Sequence, residues 1–141
     1  MNYAGFWLRF AAAILDGIIL YILGSIAGFI VGLVIGLLSL GNDPTTLAAL
    51  LGGLAGLIVG WLYHALQESS SYQATLGKRA VGITVTDLDG QRISFGTATG
   101  RHFAKIISSL ILMIGYIMAA FTDKKQALHD IMAGTIVVKK R

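Results

Sequence analysis

Arg9 and Asp16 are the first residues of this chain that could carry chemistry, seven positions apart at the start of a long apolar segment. Seven residues turn an α-helix through about 700°, so the two side chains share one face with roughly 10 Å of rise between them. A carboxylate that deep in an apolar segment is costly unless it is held by partners, and it is a candidate for exchanging a proton. The competing structural reading has Arg9 reaching lipid phosphate while Asp16 hydrogen-bonds another helix. His64, near the end of a second apolar run, could relay protons with Asp16, or could simply mark the polar end of that run. His129 adjoins Asp130, but neighbours on a helix point in different directions, so the two form no ready metal site or triad. The sequence holds no three-ligand spacing of His, Asp or Glu, no Walker loop, no dinucleotide fingerprint, no nucleophile elbow and no cysteine. Enzyme activity, a metal site and a cofactor are therefore not expected.

The elements that must position these residues are membrane helices. Of 141 residues, 55% are hydrophobic and 13% charged, and the mean hydropathy is +0.75. An ordinary water-soluble core of this size does not need so much apolar surface. Residues 10–40 contain Asp16 as their only charge, and residues 47–66 contain none. About 20 apolar residues cross a bilayer, so the two runs predict a transmembrane helical hairpin around a polar turn holding Asp43 and Pro44. No Lys or Arg precedes Arg9 and Asp16 interrupts the first run, so it reads as a retained span and not as a cleaved signal. Gly24, Gly28, Gly32 and Gly36 recur every four residues in the first span, and Gly52, Gly56 and Gly60 in the second. Such rows let helices pack closely, within one chain, in a homo-oligomer or against a partner membrane protein. The net charge of +4 lies beside the apolar segments, which fits a bilayer with anionic headgroups and not nucleic acid.

Residues 67–105 are polar and basic, and the positive-inside rule places them, with the N-terminus, in the cytoplasm. Alternation at Val81, Ile83 and Val85, a turn at Asp89-Gly90 and the stretch 91–95 predict a β-hairpin over about 80–95. Residues 135–139 predict a further strand, completing a small three-stranded sheet. A third membrane segment, about 103–121, is short and contains Gly115. A full crossing would carry the basic tail outside, so a re-entrant or broken helix is the expected form. The whole is one all-α membrane domain over 1–141, with a small cytoplasmic sheet.

Gly5-Phe6-Trp7-Leu8-Arg9-Phe10, Asp16-Gly17, the run Gln73-Ala74-Thr75-Leu76-Gly77-Lys78-Arg79 with Gly82, Asp87, Asp89 and Gly90, and Gln126-Ala127-Leu128-His129-Asp130-Ile131-Met132-Ala133-Gly134-Thr135 together resemble the RDD family of membrane proteins. The resemblance spans essentially the whole chain. It implies that Arg9, Asp16 and Asp130 are the naming arginine and two aspartates, and it adds Asp130 to the candidate set. It also implies ligand transport, with sodium/proton antiport described for some members. The expectation is then a small inner-membrane transporter exchanging monovalent cation and proton through a cluster of Arg9, Asp16 and Asp130. The alternative is a non-transporting adaptor or accessory subunit, binding a partner through its glycine rows and its cytoplasmic hairpin.

Overall fold

A computed structural model describes residues 2–39, 43–110 and 117–140. Helix α1 spans Phe6–Leu38 and α2 spans Thr45–Glu68. Both are rich in Leu, Ile, Ala and Gly and have no internal proline, and both exceed the length a bilayer requires. The Asp43 carboxylate accepts from the Thr45 backbone N–H at 3.0 Å, which caps the start of α2. The most apolar stretch of α2 has no buried residue and that of α1 almost none. Water would not tolerate so much uncovered apolar surface, whereas lipid covers it.

The chain divides into two compact units. One comprises residues 17–60, the outer parts of α1 and α2. The other comprises residues 1–16 and 61–141 and carries the remaining elements: α3 (Leu76–Ala80), β1 (Ile83–Asp87), α4 (Phe95–Leu110), a 3-10 turn (Met118–Ala120), α5 (Leu128–Ala133) and β2 (Thr135–Lys139). The strands pair antiparallel with Val85 opposite Val137, and both face a small core with Ala4, Ala12, Ala65, Ile83, Ile93 and Ala98.

Residues 91–95 are not a strand, contrary to the pattern reading. Asp87 accepts from the N–H groups of Asp89 (2.9 Å) and Gln91 (2.7 Å), and Gly90 takes a φ of 82°, so the segment is spent on a turn. Ser94 then accepts from the Thr97 N–H at 3.1 Å and caps α4. The strand expected there is replaced by β2, whose other side takes the N-terminal residues: Ala4 donates to Val137 O and Lys139 donates to Asn2 O, each at 2.8 Å. The outer side of β1 is covered too, because Val85 donates to Gln73 O at 2.7 Å and the Gln73 amide returns a bond to Val85 O.

Helix α4 is inside out. Its inward stripe is Ala98, Arg101, Ala104 and Ser108, while Phe103, Ile106, Ile107 and Leu110 are exposed. Charge inward and hydrocarbon outward is the polarity of a helix whose outer solvent is lipid. The expected third membrane segment starts within α4, and its break at Gly115 lies outside the described residues.

Candidate functional site

Asp16 is buried at 3% exposure within the unit of residues 1–16 and 61–141, and three neutral groups hold it. The Tyr63 hydroxyl donates to Oδ1 at 2.7 Å, the Gly77 backbone N–H donates to Oδ1 at 2.8 Å, and the Thr75 hydroxyl donates to Oδ2 at 2.6 Å. Thr75 is also the N-cap of α3, accepting from the Lys78 N–H. Gly77 is required by the close approach. A Cβ there would lie 2.7 Å from the Asp16 carboxyl and would also collide with the Ala12 carbonyl.

A second constellation contains the cations. The Arg9 guanidinium pairs with Asp130 Oδ2, donates to Ala4 O at 3.2 Å, and donates to Lys125 O at 2.6 Å. Asp130 lies in the first turn of α5, where it also accepts from the Ala127 N–H at 3.1 Å, so one carboxylate both starts the helix and binds Arg9. Arg101, fully buried on α4, bridges onward: its Nε donates to Asp130 Oδ1 at 2.9 Å, and its Nη1 lies 2.8 Å from both oxygens of Glu68. Glu68, the last residue of α2, also receives Lys78, with Lys105 at 3.7 Å.

Burial alone would raise the Asp130 carboxyl, but Arg101 and Arg9 outweigh it and hold the group below the ordinary carboxylate range. Burial pulls the Lys78 ammonium down, with Glu68 opposing. His129 is lowered first by burial and then by Arg101, so its ring is neutral at physiological pH.

The structure therefore brings Arg9 and Asp130 together and gives Asp16 to a different set of partners. The reason is geometric: an axial offset of roughly 10 Å exceeds what Arg9 can cover while its guanidinium is also bound to Asp130, Ala4 and Lys125. His64 contacts Lys105 (3.4 Å) and stacks near His102, with ring centres 5.3 Å apart, and makes no hydrogen bond to Asp16. His129 sits beside Asp130, its Nε2 3.6 Å from Oδ1. The glycine rows are open: a Cβ at Gly24, Gly28, Gly32, Gly36, Gly52, Gly56 or Gly60 would meet nothing within 4 Å.

Glu68, Arg101, Lys78, Tyr63, Thr75 and Gly77 were not singled out from residue type. Glu68 is the chain's only glutamate and closes an apolar span, which was an available signal.

A model of the RDD family matches residues 3–134. The uncharacterized Bacillus subtilis protein YxaI is 40% identical over 148 residues, covering 97% of each chain. The uncharacterized membrane protein YteJ of the same organism is 31% identical, covering 99% of this chain and 82% of its own. An uncharacterized Haemophilus influenzae protein is 33% identical, covering 93% of this chain and 74% of its own. No solved structure matches.

Proposed function

The chain belongs to the RDD family and is an integral membrane protein, and from that premise we propose that it exchanges a proton for a monovalent cation at Asp16 in a bacterial inner membrane. The observation that carries this reading is the difference between the buried carboxylates. Asp130 and Glu68 are each paired with cations, whereas the hydrogen-bond donors to Asp16 are two hydroxyls and one peptide N–H. A carboxylate held by neutral donors can change charge without breaking an ion pair. With a proton on Oδ2, the Thr75 hydroxyl turns from donor to acceptor; with a cation in place of that proton, the carboxylate and the Thr75 and Tyr63 hydroxyls supply oxygen ligands of the kind hard cations prefer. Arg9, occupied by Asp130, does not compete. One chain has few helices for alternating access, so the working unit in this reading is a homo-oligomer.

The test is reconstitution in vesicles loaded with a pH dye. An imposed sodium or potassium gradient is expected to shift lumenal pH in the parent and not in Asp16→Asn. An unchanged pH in the parent, or equal rates in parent and variant, contradicts the proposal.

A second reading, a membrane adaptor, is favoured by the open glycine rows, which leave two smooth helix faces for a partner helix. Docking by strand addition is not favoured, because both outer sides of the sheet already carry backbone partners. Co-purification of one membrane partner, lost on Gly28→Leu and retained in Asp16→Asn, would select this reading.

A further inference from the structure

The dipeptide Lys78-Arg79 sends its two charges in opposite directions: Lys78 inward to Glu68, and Arg79 to the surface. There Arg79 stacks on Tyr72, its guanidinium carbon 4.1 Å from the ring centre. Stacking fixes the guanidinium plane while leaving its N–H edge directed outward, the arrangement in which arginine recognises planar or tetrahedral oxyanions. The stacked pair lines a surface cavity of about 500 Å³ that Lys140 also lines. Lys140 is anchored there because its N–H donates to Gly82 O at 2.7 Å. The remaining lining is Leu76, Ala80, Gly82, Ile83 and Thr84, and among the described residues no carboxylate lines the cavity. Arg79 and Lys140 make no ion pair among the described residues, in contrast to Arg9, Lys78, Arg101 and Lys105.

We propose that the cavity between Tyr72-Arg79 and Lys140 binds the phosphate oxyanion of an acidic phospholipid headgroup. Two cations without a counter-ion supply the charge complement, and Arg79 can engage a phosphate through two parallel N–H bonds. The apolar part fits the lipid source: Leu76 and Tyr72 are exposed, 46% and 60%, at the rim. Tyr72 follows the end of α2 by four residues, which keeps the cavity close in sequence to the boundary of a membrane helix. This site shares no residue with the Asp16 constellation and stands apart from the exchange proposal.

The test uses the full chain in nanodiscs of phosphatidylcholine, with phosphatidylglycerol added as the acidic lipid and retention of each lipid read by native mass spectrometry. Phosphatidylglycerol is expected to be retained over phosphatidylcholine, and Arg79→Gln with Lys140→Gln is expected to lower that retention about tenfold. Arg92→Gln with Lys124→Gln removes the same charge from other exposed positions and is expected to leave it within twofold. Equal retention by parent and cavity variant overturns the proposal, as does an equal loss in the two variants, which would indicate bulk charge only. Retention of inorganic phosphate at the cavity without any preference for phosphatidylglycerol overturns the lipid assignment. A melting temperature within a few degrees of the parent, read in the same nanodiscs, separates loss of the site from loss of the fold.

Discussion

At the scale of single residues, the buried acids of this protein are of two kinds, and their variants should differ accordingly. Asp130→Asn leaves Arg9 and Arg101 without one of their counter-charges, and breaking a buried pair from one side costs about 3–5 kcal/mol. Asp16→Asn keeps an oxygen for Tyr63 or Gly77 and breaks no ion pair, so its cost should be nearer ~1–2 kcal/mol. Denaturant unfolding in detergent, followed by tryptophan emission, compares the two; equal costs would mean that Asp16 is as much a part of the charge network as Asp130. The pH dependence has a definite sign. His129 is lowered by burial and by Arg101, so the unfolded chain takes up a proton near pH ~6.5 that the folded chain refuses. Stability is therefore lost as pH falls below about 6.5, by up to ~1.4 kcal/mol per unit for this one group. Asp130 is lowered, so its contribution is complete above about pH 4 and is lost only below that. Between about pH 6.5 and 4.5, His129→Gln should flatten the stability curve by close to one proton; an unchanged slope would contradict the burial of a neutral ring. Residue type made Arg9 and Asp16 legible and the family motif added Asp130, but their division into two constellations was not legible, because it depends on Thr75, Gly77 and Glu68 arriving from distant positions.

At the scale of elements, the two glycine classes are set apart by what surrounds them. Gly77→Ala drives a methyl group into the Asp16 carboxyl and the Ala12 carbonyl, and overpacking of this kind costs about 1–3 kcal/mol. Gly28→Ala meets nothing within 4 Å and should be neutral or slightly stabilising for the isolated chain, by up to ~1 kcal/mol from helix propensity. A melting temperature that drops in Gly28→Ala and holds in Gly77→Ala would reverse this assignment. The long helices α1 and α2 were legible because an apolar run of that length has few other structures open to it. The sheet was legible only by half. Ile83, Val85 and the 135–139 strand announce themselves by alternation, but the pairing is non-local, and the stretch 91–95 is not a strand because its Ser94 caps α4 and its Gln91 N–H is held in a turn by Asp87, both of which compete with strand formation. Helix α4 is amphipathic, and its polarity is reversed from the aqueous expectation.

At the scale of the whole chain, the unit of residues 1–16 and 61–141 ties the N-terminus to the C-terminal strand through Ala4 and Val137 and through Asn2 and Lys139. Arg101 and Asp130 are likewise in contact, which ties α4 to α5. Among the described residues α1 and α2 are the helices long and apolar enough to cross a membrane, and the proposed topology puts both ends of the chain on one side with the basic 67–105 segment. Cysteines placed singly at Asn2, Arg92 and Lys139 should all react with an impermeant maleimide from the same side of oriented vesicles; labelling of Asn2 and Lys139 from opposite sides would exclude the fold. The central claim remains that Asp16, alone among the buried acids described, is free to trade a proton for a cation. Dicyclohexylcarbodiimide, which attacks protonated carboxyls in apolar surroundings, tests it most directly when the modified residue is identified by peptide mass spectrometry. The account predicts modification at Asp16, slowed at least several-fold by sodium or potassium, with Glu68 and Asp130 unreactive. Modification of Glu68 or Asp130 in preference to Asp16, or a rate at Asp16 indifferent to both cations, would contradict it.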